Sequence, residues 1–404
     1  MSKTTLALVN LRGYTIIIVL AFHSCIAYIV SQPPSALPFD SPPYGWLANP
    51  IVDADRWLGF DLFCATQFIY MMQLMFFLSG LFVWSSLKRK GAGGFLYDRI
   101  LRLGLPFVVG VYLVMPLAYY PVYRVTATNT SWPEFWSHWM ALPFWPSGPL
   151  WFLSFVLALN AVAAGLYRLF PRAGESLAGL SAKAAAHPLR FFFVLAGISA
   201  IAYVPLASIY LPWQWVRFGP IHFQPTLAPQ YVIYFFAGAV LGTYRLDHGL
   251  LGADGMPMRR WGRWVAGAFA AFLLWIIPTA LSVKGQGEPL PGLQFVADLG
   301  LVLYAPCACL GLAAIFMRFA SVPRPMLDGL SANAYGIYLF HYVFVLWTQY
   351  MLLGVAMPGI VKGVIVFSVT LVLSWATTAL ACRTSIGNRI VGGRRAEPAV
   401  VRHA

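Results

Sequence analysis

Charged residues are scarce in this chain. Only 10% of its 404 residues are charged and 60% are hydrophobic, whereas about 25% charged residues are usual in soluble proteins. This composition excludes both an ordinary soluble domain and a disordered chain, which needs low hydrophobicity and high charge. The apolar residues fall in runs of about 20, the length of a helix that crosses a bilayer. The sequence therefore predicts an all-α fold, a polytopic membrane helical bundle.

The sequence also lacks the usual signals for metal binding and for cleavage after secretion. Its five cysteines show no C-x-x-C spacing and no grouping with histidine, so we expect no metal site. Cys25 and Cys64 are a candidate disulfide pair. The first apolar run, Leu11–Val30, exceeds the ~7–15 residues of a signal-peptide core. We interpret this run as a retained membrane span.

About ten segments have the length of a membrane span. They are Leu11–Val30, Thr66–Leu87, Ile100–Val122, Pro149–Phe170, Arg190–Ser208, Pro229–Tyr244, Trp261–Ser282, Phe295–Phe316, Ala332–Leu353 and Pro358–Cys382. We interpret residues 1–382 as one integral-membrane domain. Residues 383–404 are predicted to form a basic cytoplasmic tail.

Basic residues outnumber acidic residues by 27 to 13, which gives a net charge of +14. Sorted by alternate sides of the ten spans, 22 of the 27 basic residues fall on one side. The other side holds Arg56, Arg124, Arg217, Lys284 and Lys362. Because cytoplasmic loops collect Lys and Arg, this imbalance predicts an even number of spans with both termini in the cytoplasm. Since topology explains the charge, we expect the lipid bilayer, and no nucleic acid, as a partner.

The predicted outer loops combine several carboxylates with many tryptophans, and Trp132 and Trp136 lie in the middle of one such loop. Tryptophan favours the membrane interface in any membrane protein, so an interfacial belt is the simpler interpretation. Flat aromatic faces also suit sugar rings, and carboxylates accept hydrogen bonds from hydroxyls. A sugar-binding mouth is the functional interpretation, and the two can hold together.

Ionisable groups inside a span are costly and are therefore candidates for function. His23 follows Arg12 by 11 positions, which places it about 16 Å deeper along the first helix, near the middle of the membrane. His341 lies at membrane depth in the ninth span, and Asp298 is a weaker candidate. The structural alternative for each histidine is a hydrogen bond to a neighbouring group in a packed interior.

The third span begins with two arginines, Arg99 and Arg102, whose spacing predicts that they share one helix face. Anchoring at the cytoplasmic surface is the simple interpretation of basic residues there. The planar guanidinium donates several hydrogen bonds in a fixed geometry that suits phosphate. The pair therefore predicts a phosphate clamp, and the preceding glycine-rich segment, residues 91–94, predicts a hinge.

Two shorter patterns concern packing and capping. Ser79-Gly80 is a small pair that suits close contact between helices. Ser331 or Asn333 is a candidate cap for the ninth span.

In their order and spacing, these residues resemble the bacterial integral-membrane acyltransferase family, type three. The likeness begins with Arg12 and His23 in the first span, F-F-L-S-G in the second, and Arg99-x-x-Arg102 with G-L-P in the third. It continues in P-L-W-F-L (Pro149–Leu153), Y-F-F-A-G (Tyr234–Gly238) and N-A-Y-G-I-Y-L-F-H (Asn333–His341). Within the family, the chain resembles most the branch that succinylates periplasmic glucans. It departs from that branch at Gly148, where a histidine is expected.

The resemblance implies an O-acyltransferase of the bacterial inner membrane. Such an enzyme moves an acyl group, acetyl or succinyl, from cytoplasmic acyl-CoA to a hydroxyl of an extracytoplasmic carbohydrate. The essential histidine of the family corresponds to His23. Its basic motif residues correspond to Arg12, Arg99 and Arg102, which are expected to hold acyl-CoA.

Our mechanistic hypothesis makes His23 the general base, with a covalent acyl-histidine as the alternative. Asp61 is expected to orient the imidazole, as the acid does in a catalytic triad. The candidate substrate-binding residues are Trp151, Asn333 and His341. Acyl-CoA is the donor, and no metal is expected.

Two other classes of protein remain open. A transporter or flippase of a glycan or lipid would also have many spans and buried polar groups, although no repeat between the two halves is evident. The third interpretation is a non-catalytic subunit of a complex that makes a polymer of the cell envelope. This interpretation does not explain why the chain has both the arginine pair and the buried histidine.

Overall fold

The computed structural model describes residues 2–210, 214–244, 246–252, 255–284 and 291–391. Its helices are α1 (Lys3–Cys25), α2 (Leu58–Gly80), α3 (Val83–Arg99), α4 (Leu105–Val109), α5 (Met115–Thr126), α6 (Trp132–Ala141), α7 (Trp151–Leu169), α8 (Ala173–Ala186), α9 (Pro188–Ala207), α10 (Ala228–Leu241), α11 (Met256–Arg259), α12 (Trp261–Lys284), α13 (Pro291–Phe319), α14 (Pro325–Met351), α15 (Gly359–Ala381) and α16 (Ser385–Val391). Strands β1 (Val216–Phe218) and β2 (Ile221–Phe223) form one antiparallel hairpin. The predicted all-α, polytopic bundle is confirmed.

Eight helical segments in the described ranges are long and apolar enough to cross a membrane. They are Lys3–Tyr28, Leu58–Gly80, Val83–Thr126, Gly148–Leu169, Pro188–Ala207, Trp261–Ser282, Gly292–Phe319 and Gly359–Ala381. The remaining two predicted spans coincide with α10, which has only 14 residues, and α14, which has 27 residues but carries several polar side chains. Each predicted span therefore overlaps at least one helix, but α10 and α14 fall short of the length or hydropathy of a span.

Several local predictions need correction. The second predicted span joined two helices, because α2 ends at Gly80 and α3 begins at Val83. Helix α14 begins at Pro325, so Ser331 and Asn333 lie inside the helix and do not cap it. All five cysteines are free thiols, so a disulfide between Cys25 and Cys64 is absent.

Within the glycine-rich segment, Gly91 interrupts α3 with a kink at φ 68°, and the hinge stays a prediction. This left-handed backbone conformation is open to glycine because it has no Cβ. The predicted tail divides into α16, which follows α15, and residues 392–404, which lie outside the described residues.

Helices α1 and α14 lie side by side and run in the same direction. Near their starts, the Ser331 hydroxyl donates to Asn10 Oδ1 at 3.3 Å. Near their ends, Gln349 Nε2 donates to the carbonyl of His23 at 2.9 Å. Helix α16 returns to the end of the bundle where α1 and α14 start, because Val391 packs against Gly336 of α14. We call this the inner end, and the end with residues 31–57 and the hairpin the outer end.

The packing predicted for Gly80 is confirmed at the contact between α2 and α10. A Cβ atom at Gly80 would collide with the carbonyl oxygen of Phe235, and one at Gly238 would collide with that of Phe77. Small residues allow such close contact between helix backbones in a membrane. The two glycines thus bring α2 and α10 together reciprocally.

A buried ion pair links residues 31–57, the long connection of the outer end, to α15. Lys362 Nζ lies 2.9 Å from both carboxylate oxygens of Asp53 and 2.8 Å from Asp55 Oδ2. The Lys362 side chain is fully buried and that of Asp53 is 2% exposed. Removing one partner from such a pair leaves the opposite charge buried and alone, which is strongly destabilising.

We expect Lys362→Met to lower the free energy of unfolding by about 3–5 kcal/mol, because it leaves the Asp53 carboxylate without its cation. Thermal unfolding in detergent measures this loss. Lys88→Met is the matched control, since Lys88 is exposed at the inner end and its loss should change stability by less than about 0.5 kcal/mol. Adding Asp53→Asn to Lys362→Met should restore part of the stability. Equal effects of the two lysine variants would contradict the structural role of the pair.

Candidate functional site

Two histidines from different helices meet inside the bundle. The ring centroids of His23 on α1 and His341 on α14 are 5.2 Å apart. The parallel contact of the two helices places these residues at the same depth. His341 is fully buried, whereas His23 keeps some accessible surface. The structure thus brings together the two histidines that the sequence singles out.

Backbone carbonyls determine which nitrogen of each imidazole carries the proton. His23 Nδ1 lies 2.8 Å from the carbonyl oxygen of Val19, and His341 Nδ1 lies 2.6 Å from that of Tyr338. A carbonyl oxygen only accepts hydrogen bonds, so Nδ1 is the donor in both rings. In the neutral rings Nε2 then holds the lone pair. That of His341 is buried without a hydrogen-bond partner in the described part of the chain. Each ring therefore keeps a free basic nitrogen, as a general base requires.

The structure contradicts the predicted pairing of Asp61 with His23. The Asp61 carboxylate accepts hydrogen bonds from the backbone N–H groups of Val30 at 2.7 Å and Ser31 at 2.9 Å. It lies in the first turn of α2, where a negative charge suits the helix dipole. The carbonyl of Val19, one turn earlier in the same helix, orients the His23 ring instead. Asp61 has a structural role in closing the turn after α1.

Two tyrosines extend from His23 towards the outer end. The Tyr342 ring lies edge-on to His23 at 5.4 Å, and the Tyr119 ring lies 5.7 Å from Tyr342. Gly148, at φ 48°, packs against this pair. A Cβ atom there would lie 3.2 Å from the Tyr342 ring and 2.8 Å from Met115 Sδ. Gly148 therefore gives Tyr342 its space.

A cavity of about 260 Å³ opens near the inner end. Arg12, Arg99 and Tyr335 line one part of it, and apolar side chains of α1, α2 and α7 line much of the rest. The Nε atom of Arg99 is buried without a hydrogen-bond partner among the described residues. Arginine donors at one end and apolar walls beyond them suit a ligand with a phosphate head and an apolar arm.

Arg102 does not line this cavity. Its Nε donates to Asp98 Oδ1 at 3.2 Å, and its side chain is 59% exposed. The chain forms a π-helical turn at Ile100–Gly104. Because a π-helix rotates less per residue than an α-helix, two residues three apart no longer share a face. Two of the three predicted donor-binding arginines, Arg12 and Arg99, therefore line the cavity, and Arg102 lies near both of them at the surface.

Tyr338 borders both the cavity and His341. Its side chain lines the cavity, and its hydroxyl donates a hydrogen bond to the carbonyl of Pro149. Behind it, the His341 ring lies 5.7 Å from the Tyr338 ring. Tyr338 therefore connects the lining of the cavity with the histidine pair.

The other predicted substrate-binding residues lie elsewhere. Trp151 begins α7, where it packs against Trp215 and Tyr231 with ring centroids 5.5 and 5.6 Å away. Asn333 Nδ2 donates to the carbonyl of Gly329 in its own helix at 2.8 Å. Neither side chain lines the inner cavity. These contacts give both residues structural partners.

Trp132 and Trp136 line a shallow outer groove of about 470 Å³. Its other lining residues are Tyr112, Leu113, Pro116, Leu117 and Pro133. None of these described lining residues has a carboxylate that would accept hydrogen bonds from a sugar. This surface agrees with the interfacial belt better than with a sugar-binding mouth.

Sequence reasoning missed the tyrosines of α14, although a signal for them exists. Tyr335, Tyr338 and Tyr342 follow one another at intervals of three and four, so they share one face of the helix. The structure turns this face towards the cavity and His23. A polar aromatic stripe beside a buried histidine is the pattern that would have found them.

A third histidine, His222, is buried in the outer hairpin. Its Nδ1 lies 3.4 Å from the Ser147 hydroxyl. Burial, and then the nearby charge of Arg217, lower the pKa of His222 from its usual value of 6.5 to about 4. Between about pH 4 and pH 6.5, His222 is therefore protonated more readily in the unfolded chain than in the folded protein.

We expect this group to make folding less stable as the pH falls. Above pH ~6.5 His222 is neutral in both states and does not lower the free energy of unfolding. At about pH 5 the unfolded chain is protonated at His222 and the folded protein is not, so the free energy of unfolding is lower by roughly 2 kcal/mol. Thermal unfolding at neutral pH and near pH 5, for the wild type and His222→Gln, measures the difference. The variant should show a smaller loss. His187→Gln, which changes an exposed histidine, should behave like the wild type, and identical pH profiles of all three proteins would contradict the prediction.

The fold and the site define an integral-membrane protein with a buried histidine pair and a cavity lined by arginines. The chain matches the model of the type-three acyltransferase family, described as an acyltransferase domain, over residues 6–379. It therefore belongs to this family and is a multi-pass membrane acyltransferase. No curated protein and no solved structure matches the chain.

Proposed function

We propose that the protein is an O-acyltransferase of the bacterial inner membrane, which moves an acyl group from cytoplasmic acyl-CoA to a hydroxyl of an extracytoplasmic glycan. Family membership supports acyl transfer. The donor and the acceptor are our proposal. The proposal rests on the inner cavity, whose lining includes Arg12, Arg99 and Tyr338. The Tyr338 ring lies beside His341 of the histidine pair.

The donor enters from the inner end. Its phosphate groups bind Arg12 and Arg99, whose guanidinium groups suit phosphate oxygens. The uncharged arm of the donor lies along the apolar part of the cavity. To bring the thioester to His23, the Tyr338 hydroxyl must leave the carbonyl of Pro149 so that the ring can move aside.

The acceptor hydroxyl meets the thioester beside Nε2 of His23. As the hydroxyl oxygen attacks the thioester carbonyl, Nε2 takes its proton. The new C–O bond forms, the C–S bond breaks, and the imidazolium returns the proton to the leaving CoA sulfur. The carbonyl of Val19 stabilises the imidazolium because it accepts the Nδ1 hydrogen bond. A base of this kind contributes about 10²–10⁴-fold to the rate.

In this proposal His341 binds the substrate. Its free Nε2 can accept a hydrogen bond from a second hydroxyl of the acceptor while His23 acts on the first. The two rings are close enough for one sugar ring to reach both. His341 thus positions the acceptor and does not itself take the reacting proton.

The test is acyl transfer by the purified protein in lipid vesicles. Labelled acetyl-CoA or succinyl-CoA is supplied on one side of the membrane, and glucose oligosaccharides are enclosed on the other. We expect label on the oligosaccharide, detected by mass spectrometry, only when the protein is present. Passage of unmodified oligosaccharide across the membrane without any acylation would contradict the proposal and support a transporter.

A further inference from the structure

Arg217 is a half-buried cation at the outer end without an acidic partner among the described residues. It lies on β1, and its guanidinium group stands over the Phe144 ring at 5.1 Å from the centroid. The ionisable groups that interact with it are Tyr119, Tyr44 and His222. Within the described ranges, it forms no salt bridge with a carboxylate. A partly exposed guanidinium group without a carboxylate partner in the described ranges is available to bind an anionic ligand through its N–H donors.

Two of the other described cations of the outer end have oxygen partners in the protein, whereas the Nε of Arg124 is buried without a hydrogen-bond partner among the described residues. Lys362 is paired with Asp53 and Asp55. Arg56 donates to the carbonyl oxygens of Asp53, Gln32 and Pro33. Arg124 stands over two aromatic rings, those of Tyr120 and Tyr350, at 5.6 and 5.4 Å.

Arg217 also lies at the start of a chain of aromatic side chains that leads to His23. Phe144, beneath its guanidinium, contacts Tyr44 with ring centroids 5.0 Å apart. Tyr119, which interacts with Arg217, is followed by Tyr342 and then by His23, with ring separations of 5.7 and 5.4 Å. Packed aromatic side chains therefore connect the surroundings of Arg217 with those of His23.

We infer that Arg217 binds an anionic group of the substrate, a carboxylate or a phosphate, while the reacting part of that substrate lies at His23. This inference rests on the proposed acyl transfer and adds a charge requirement to it. A guanidinium group recognises either anion through paired N–H donors. The anion has two sources, the far end of a dicarboxylic acyl chain or an acidic residue of the acceptor glycan.

The experiment compares four reactions in the wild type, Arg217→Gln and Arg217→Lys. The donors are acetyl-CoA and succinyl-CoA, and the acceptors are a neutral glucose oligosaccharide and one that carries a glucuronate residue. Loss of a hydrogen-bonded charge pair should lower kcat/KM about 10- to 100-fold for the reactions that use it. Arg217→Lys should retain part of the rate, since it keeps the charge but loses the paired geometry.

The pattern of loss identifies the source of the anion. If the acyl chain carries it, Arg217→Gln slows succinyl transfer to both acceptors and spares acetyl transfer. If the acceptor carries it, the variant slows transfer to the glucuronate oligosaccharide with both donors. Arg124→Gln removes the same charge from the same end and should change none of these ratios. An equal effect of Arg217→Gln on all four reactions, or no effect on any, would overturn the inference.

A second measurement does not depend on turnover. Free succinate or glucuronate should raise the unfolding temperature of the wild type more than neutral succinamide or glucose does. Arg217→Gln should abolish this difference without lowering the unfolding temperature of the ligand-free protein. If both proteins respond alike, Arg217 is not an anion site. Failure of all acyl transfer by the wild type would instead refute the proposed function, so the two failures are distinguishable.

Discussion

His23→Ala is expected to slow acyl transfer by about 10²–10⁴-fold, the contribution of a positioned general base. The fold should persist, because the described hydrogen bonds of the His23 side chain consist of one contact with a carbonyl of its own helix. The contact from Gln349 is made to the backbone of His23 and survives the substitution. Initial rates with saturating acyl-CoA, together with thermal unfolding of both proteins, separate a chemical defect from misfolding.

His187→Ala is the matched control, since it removes an imidazole from an exposed position at the inner end. It should leave the rate of acyl transfer within about 2-fold of the wild type, as expected for a surface change away from the site. Release of CoA without acceptor distinguishes the two mechanisms at His23. A covalent acyl-histidine would give a burst of CoA that equals the enzyme concentration, whereas a general base would give none. Normal transfer by His23→Ala would exclude both mechanisms.

The sequence predicted the features that depend on local length and spacing. A run of about 20 apolar residues has few alternatives to a membrane helix, because every backbone polar group must be bonded inside the bilayer. Arg12 and His23 lie on one helix as predicted, but His23 lies in the last turn of α1 and not near the middle of this span. The close packing at Gly80 was also predicted correctly, since a glycine allows two helix backbones to approach closely in any context.

The features that failed depend on contacts between distant parts of the chain or on irregular backbone. Nothing in the spacing shows that α1 and α14 are neighbours, so the meeting of His23 with His341 had to come from the structure. The Asp61 pairing follows the pattern of a catalytic triad, although a carbonyl one turn away can orient an imidazole equally well. The π-helical turn interrupts the regular helix assumed for Arg99 and Arg102, so Arg102 lies near Arg12 and Arg99 but outside the cavity lining, and its part in donor binding stays a prediction.

Replacing Arg12 and Arg99 together with glutamine is expected to raise the KM for acyl-CoA about 100-fold with little change in kcat. A hydrogen bond to a charged group contributes about 1.5–3 kcal/mol, and two partly shared contacts therefore total about 3 kcal/mol, or two factors of ten in affinity. The effect falls on KM because, in the proposed mode, both arginines bind the nucleotide end of the donor, far from the reacting atoms.

Arg102→Gln provides the contrast, because it lies in the same segment but pairs with Asp98 outside the cavity. It should change the KM for acyl-CoA by less than about 3-fold, in keeping with the weak contribution of an exposed ion pair.

An acyl-pantetheine donor, which has the thioester but not the nucleotide, sharpens the comparison. With this donor, the double variant and the wild type should have the same KM, since neither would use the arginines. If Arg102→Gln weakened acyl-CoA as much as the double variant, or if the double variant also weakened acyl-pantetheine, the phosphate groups would not lie at Arg12 and Arg99. The donor would then have to reach His23 by a route other than the inner cavity.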